Sequence, residues 1–384
     1  MPKTNCPLYN KGLYIEKINQ NTAHIAMCCS QTLSKETYTT IDFYNNKYLN
    51  YTRDSTEDVP ECNHCANNEK NNHQSYRTAQ QKAFELAGIP IDNKTELVSF
   101  LYNCENTCNL KCITCGPKFS SLWKPEYKKL KYPIKEIEQK TSGHRNEIYK
   151  LLALDKVQLL HFQGGEPLLT DDHINILHEI EKQGGNLSNM VLSYNTNGTI
   201  FPSDEIIAMW KKTKLTKIYF SIDAIGDQFE YIRYPAKWNQ VEENLFRIRD
   251  LNIPNMWIEL GVTVSTANLF YINDIIEWKN KHFSQLSNND PIGLYINFAT
   301  DLSYGGGVLA IDSINQELKQ PAIDYLNNII EDQIKFPIIN KLRNAPESNT
   351  NKWQDYLTKI DSLRKTDWRT TLSKLSEHTN AKTK

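Results

Sequence analysis

Cys108, Cys112 and Cys115 stand with three residues and then two between them, directly after an apolar run at residues 97–102. Thiolates at this spacing are metal ligands in the first instance. Three are one short of a structural zinc site, which normally closes with four protein ligands. Three are also one short of a 4Fe-4S cube, and a cube held this way keeps one iron open to a ligand that is not protein. An incomplete thiolate set at the end of a strand points to a cluster that does chemistry. The competing reading is a zinc knuckle or three buried thiols.

Five further cysteines lie ahead of the apolar run: Cys6, the adjacent pair Cys28 and Cys29, and Cys62 and Cys65 with two residues between them. That inventory is enough to close a second site with four thiolates. On spacing alone it fits structural zinc slightly better, with His64 or His73 as further ligands. Adjacent side chains on an extended segment point opposite ways, so Cys28 and Cys29 do not both face one site. Cys104 reads most simply as a buried thiol in the turn before the triplet.

Other polar groups recur after apolar runs. Gly164 and Gly165 let the backbone approach a ligand without Cβ interference, and Glu166 beside them can meet an ammonium. Residues 195–198 read Asn-Thr-Asn-Gly, a turn that includes Asn197. Ser221, Asp223 and Arg233 follow a fourth run; a hydroxyl can bond a sugar diol, and a guanidinium can grip a carboxylate with two bonds. The alternative for this trio is a helix cap formed by Ser221 and Asp223, with Arg233 as a surface charge.

The elements that must position these groups are strands at residues 97–102, 157–162, 190–194, 217–222, 257–264 and 292–298. Amphipathic helical stretches at 172–183, 203–213, 241–252 and 271–282 fall between them. Repeated strand–helix units argue for parallel strands. Six units are too few for a closed eight-fold barrel, so the expected fold is α/β: a partial (β/α)6 TIM-like barrel. Its chemistry belongs at the C-terminal ends of the strands, where the cysteine triplet lies. The expected organisation is a small cysteine-rich module at 1–80, the barrel at 81–305 and a helical extension at 306–384. A Gly-rich loop at 301–307, with Asp301 and Tyr304, leaves the last strand towards the barrel mouth. Ala322, Leu326, Ile329 and Ile330 are expected to pack the extension, with a helix at 321–332, against the barrel.

Composition narrows the function classes. Of 384 residues nine are Cys, all at or before Cys115, and the net charge is -1. No stretch approaches ~20 apolar residues, so a cytoplasmic protein without membrane segments is expected. Thiols there stay reduced, which favours metal ligation over a disulfide framework. The charge balance offers no basic footprint for nucleic acid.

The triplet and its surroundings resemble the signature of the radical S-adenosylmethionine (radical SAM) enzymes. The resemblance implies that Cys108, Cys112 and Cys115 hold a catalytic 4Fe-4S cluster whose open iron is chelated by SAM. It implies that reductive cleavage of SAM yields a 5'-deoxyadenosyl radical that abstracts hydrogen from a substrate. By the same likeness Gly164, Gly165 and Glu166 contact the methionyl amino group, Ser221 the ribose or methionyl part and Arg233 the carboxylate. Asn197 and Asp223 belong to the same cofactor shell, and Val262 and Val264 flank adenine. Thr114 departs from the bulky residue usual before the third cysteine.

The earlier cysteines, with Glu69, Ser75 and Arg77, look like the auxiliary-cluster module called SPASM or twitch. This implies a second 4Fe-4S cluster on Cys6, Cys28, Cys62 and Cys65, suited to electron transfer. The function implied is oxidation of a ribosomally made peptide, with electrons from a flavodoxin- or ferredoxin-type donor. The alternatives are radical chemistry on a small molecule such as a sugar or nucleotide, or a zinc-stapled binding protein without catalysis.

Overall fold

Parallel strands with sequential neighbours and helical crossovers between them build an open α/β sheet. The computed structural model shows this arrangement. It describes residues 6–17, 22–26, 28, 38–39, 63–70, 75–91, 97–103, 106–132, 148–283, 293–299, 306–346 and 351–379. The strands are β1 (Gly12–Lys17), β2 (Thr22–Ala26), β3 (Tyr38–Thr39), β4 (Ser99–Asn103), β5 (Leu159–Gln163), β6 (Val191–Thr196), β7 (Leu215–Ser221), β8 (Met256–Val264) and β9 (Gly293–Phe298). They form one nine-stranded sheet in the order β3-β2-β1-β4-β5-β6-β7-β8-β9. The six strands read from the sequence are β4 to β9, all parallel. Among the described residues the sheet stays open, with β3 and β9 at its edges, and the architecture is a partial barrel.

The sheet also continues on the N-terminal side. β1 pairs parallel with β4, Gly12 opposite Ser99, and β2 and β3 add antiparallel strands beyond it. No helical crossover pattern precedes β1 in the sequence, so the six-unit count had no reason to include it.

Alternation separates two faces. Along β7 every second residue is buried, and Thr216, Ile218 and Phe220 join the core with Ile258, Leu260, Val262 and Val264 of β8. Val262 and Val264 therefore sit among the core side chains. The alternate residues, Lys217, Tyr219 and Ser221 on β7 and Glu259, Gly261 and Thr263 on β8, are only half-buried on the other face. A parallel sheet covered on both faces reads as continuous apolar runs, and this one does not.

Beyond residue 315 the chain is helical, at Gln316–Asn327, Asp332–Asn344 and Lys352–Arg364, followed by the short helices Trp368–Thr371 and Ser373–Glu377. The helix expected at 321–332 instead ends at Asn327 and a new one begins at Asp332. The turn between them throws Ile330 into solvent at 88% exposure, while Ala322, Leu326 and Ile329 are buried as expected. The extension docks on the barrel by specific bonds: Tyr231 Oη donates to Asp361 Oδ1 at 2.9 Å, and Gln228 Nε2 to the Thr371 carbonyl at 3.0 Å.

Candidate active site

The loop after β4 carries the three cysteines, and its carbonyls are tied down from outside. Ser120 Oγ donates to the Leu110 carbonyl at 2.6 Å, and Trp123 Nε1 to that of Cys112 at 3.1 Å. Arg364 Nη2 donates to the Lys111 carbonyl at 2.7 Å, and Tyr356 Oη to that of Ile113 at 2.8 Å. The amides of Lys111 and Ile113 donate to the Tyr234 and Ile232 carbonyls at 2.6 and 2.8 Å. Buried backbone polar groups need partners, and here the partners are fixed side chains and a helix end. The loop is thereby held before any ligand arrives.

Cys112 is buried, Cys108 and Cys115 are half-buried, and none of the three forms a disulfide. Burial pushes the Cys108 thiol up to about 11, and the nearby Cys112 adds to this. Cys112 and Cys115 share a hydrogen bond that lowers the first and raises the second, with the Arg233 guanidinium also favouring the Cys112 thiolate.

β5 runs into Gly164 and Gly165, whose φ angles of 78° and 47° lie where side chains are disfavoured. Glu166 follows, fully buried. Its carboxylate accepts from the Leu168 amide at 3.1 Å, Thr196 Oγ1 at 2.9 Å and the Asn197 amide at 2.6 Å. Its own amide donates to the Thr107 carbonyl at 2.8 Å. Burial pushes this carboxyl up and the donors pull it back. Glu166 thus joins the cysteine loop to the ends of β5 and β6.

Asn197 Nδ2 donates to Asn109 Oδ1 at 2.8 Å and reaches Cys108 Sγ at 3.8 Å. Asn197 Oδ1 accepts from Thr199 Oγ1 at 2.6 Å, and Asn109 Nδ2 closes the ring to Thr199 Oγ1 at 2.8 Å. Asn109, Thr196 and Thr199 escaped the sequence reading. Asn109 lies inside the cysteine motif and Thr196 inside the Asn-rich turn, so position alone was the available signal.

Ser221 closes β7, half-buried. Asp223 is fully buried; Arg233 Nη1 donates to its Oδ2 at 2.6 Å and the Thr263 amide to its Oδ1 at 2.8 Å. Neither Asp223 nor Arg233 is the helix cap or surface charge of the plainer reading. Burial alone would lower the Arg233 guanidinium, but the Cys112 thiolate and the Asp223 carboxylate raise it overall. Its Nε is buried without a partner. An unpaired cationic N–H beside three thiols suits an anionic ligand. Among the described residues no three His, Cys, Asp or Glu side chains converge on one ion, as a closed zinc site requires. The donor set fits a cube, whose anchoring sulfurs each hold a different iron.

The half-buried face of the sheet continues below Ser221. The Tyr219 ring lies 6.3 Å from that of His161 and 6.5 Å from that of Tyr295, a row of rings across three strands. His161 Nδ1 is 2.9 Å from Ser193 Oγ. Burial pushes the Tyr219 hydroxyl and the Glu259 carboxyl up. No motif marked these residues, because single polar positions in strands carry no signature.

On the N-terminal side, Cys6 and Cys28 pack against the cluster of Leu8, Phe84, Ala87, Ile89 and Val98. Cys65 is buried on the helix Asn63–Lys70. Arg77 Nε donates to Glu69 Oε1 at 3.0 Å, and Ser75 Oγ bonds the same oxygen. The bond to Glu69 is the main cause that raises Arg77, and the Cys6 and Cys65 thiolates add to it. The structure thus gathers Cys6, Cys65 and Arg77. Cys29, Cys62, Cys104, His73, Asp301 and Tyr304 lie outside the described residues.

Residues 102–275 match the family model of the radical SAM superfamily. The chain carries a radical SAM domain. The match over these residues implies a 4Fe-4S cluster and SAM. An uncharacterised protein of Methanocaldococcus jannaschii is 29% identical over 183 residues, 45% of this chain and 55% of that protein. A GTP 3',8-cyclase of Clostridium acetobutylicum is 25% identical over 176 residues, 44% of this chain and 48% of the cyclase. The chain therefore spans about half the length of the curated relatives it matches. Among solved structures, a polyhistidine-tagged anSMEcpe with bound AdoMet aligns with a TM-score of 0.43 at 17% identity, covering 65% of this chain and 63% of that one. Streptococcus suis SuiB bound to precursor peptide SuiA aligns at 0.40 and 12%, covering 67% and 52%. Among the described residues no helix is long and apolar enough to cross a membrane.

Proposed function

We propose that this radical SAM domain works as an oxidoreductase that modifies a ribosomally made peptide by hydrogen abstraction. Cys108, Cys112 and Cys115 are the ligands of its 4Fe-4S cluster, and that cluster with SAM supplies the 5'-deoxyadenosyl radical. The observation that carries the reading is the immobilised thiol loop facing a buried guanidinium with a free N–H, at the C-terminal ends of parallel strands.

The chain's own residues then have defined tasks. Arg233, steadied by Asp223, binds the SAM carboxylate through the fork edge that Asp223 leaves over. Gly164 and Gly165 open the backbone to the methionyl group, and Glu166, already holding three donors, offers the remaining lone pair of Oε2 to the ammonium. Asn197 orients the Cys108 sulfur, and Ser221 bonds the ribose or methionyl part. The half-buried face with Tyr219, Glu259 and Tyr295 receives substrate and limits water. Cys6, Cys28, Cys62 and Cys65 hold an auxiliary 4Fe-4S cluster that carries electrons onward, and a flavodoxin- or ferredoxin-type protein supplies reductant. The resemblance of these cysteines to a SPASM or twitch module supports the peptide substrate.

A second reading, radical chemistry on a nucleotide, is favoured by the similarity to GTP 3',8-cyclases over less than half of the chain. Anaerobic reconstitution followed by SAM-cleavage assays, with neighbouring-gene peptides or with GTP, separates the two. Peptides altered in mass support the first reading and a modified nucleotide the second. Retention of SAM cleavage by Cys108→Ala defeats both.

A further inference from the structure

We infer that Arg364 sets the reduction potential of the cluster on Cys108, Cys112 and Cys115, as a buried positive charge behind the cysteine loop. The inference rests on the cluster reading above. Four loop carbonyls, those of Leu110, Lys111, Cys112 and Ile113, receive side-chain donors. Three of the donors, Ser120, Trp123 and Tyr356, are neutral; only Lys111 is capped by a guanidinium. Capping alone does not require a charge there.

The charge is well insulated. The Arg364 side chain is 2% exposed, and its guanidinium lies 4.7 Å from the ring centres of both Trp123 and Tyr234. Nη2 and Nε bond Glu126 Oε2 at 2.9 and 3.2 Å, while Nη1 is buried without a partner. Glu126 also takes Lys111 Nζ on its other oxygen at 2.5 Å. Two cations therefore share one carboxylate, and the group is left net positive. Across the loop Arg233 is balanced by Asp223. Reducing an iron–sulfur cluster adds one negative charge to it, and a buried cation in low dielectric favours that state. The Arg364 group therefore raises the midpoint.

The test is an EPR-monitored redox titration of the anaerobically reconstituted full chain, with iron and sulfide measured for each protein. Arg364→Gln is expected to lower the midpoint and Glu126→Gln, nearly isosteric, to raise it, while Arg364→Lys stays close to the parent. Opposite signs support the inference. Midpoints that are unmoved, or that move the same way in both Gln variants, overturn it. If Arg364→Gln loses the cluster, the sign of the Glu126→Gln shift decides. Absence of iron and sulfide from the parent protein defeats the cluster reading itself, a result distinct from any midpoint.

Discussion

Tyr356 and Ile113 are joined by a hydrogen bond of 2.8 Å between side-chain hydroxyl and backbone carbonyl, across 243 positions of the chain. Tyr356 is 1% exposed and Ile113 fully buried, so no solvent replaces the donor if it is lost. Tyr356→Phe keeps the ring and removes only that donor. An unpaired buried acceptor costs about 1–3 kcal/mol. The expected outcome is a lower denaturation midpoint together with faster loss of iron from the reconstituted protein. Iron per chain after gel filtration is the check; a variant that holds iron like the parent would show that the helix Lys352–Arg364 does not steady the loop.

Arg233→Lys keeps a cation opposite Asp223 but discards the planar fork. A hydrogen bond to a charged group contributes about 1.5–3 kcal/mol, so SAM affinity is expected to fall roughly ten- to a hundred-fold. Equilibrium binding of SAM to the reconstituted protein measures this. Unchanged affinity would remove Arg233 from the cofactor site.

The barrel and the place of the cysteine triplet after its first strand were legible because each has a local signature: alternating strand and helix patterns for one, close cysteine spacing behind an apolar run for the other. β1 was not, since a strand's place in a sheet is set by distant pairing and not by its own pattern. The Gly-Gly-Glu text points Glu166 at a ligand, yet much of its carboxylate is used to bind the turns at Leu168 and Asn197. Arg364 and Tyr356 could not have been chosen, because a helix face 240 or so residues away carries no mark of the loop it caps. Ile330 failed for the opposite reason: helical spacing was extended through Asn327 and Asn328, where the helix ends and the face is lost.

Gly198 offers a test of the turn that presents Asn197. Its φ is 74°, and a Cβ there would lie 2.9 Å from Phe220 Cδ1 and from Val241 Cγ1. Left-handed backbone costs a residue with a side chain about 1–2 kcal/mol, and the overlap adds to it. Gly198→Ala is expected to destabilise the protein by roughly 2 kcal/mol or more, read by urea denaturation. A loss below about 0.5 kcal/mol would show that the turn relaxes freely.

Burial of His173 is expected to make the protein sensitive to mild acid. It is 4% exposed, with Nδ1 3.2 Å from Tyr194 Oη. Burial lowers it from 6.5 to about 4, partly offset by Asp171 and Glu205. Between those values the unfolded chain binds a proton that the folded one refuses, so stability rises with pH across that window. It is complete above about 6.5, is lost progressively down to about 4 and falls no further below. Two and a half units correspond to roughly 3 kcal/mol at most. His161, lowered in the same direction to about 4 by burial, shares the slope. His173→Gln cannot titrate and retains a polar group for Tyr194. Melting temperatures from pH 4 to pH 7 should therefore vary less in this variant than in the parent, while equal slopes would place the acid sensitivity elsewhere.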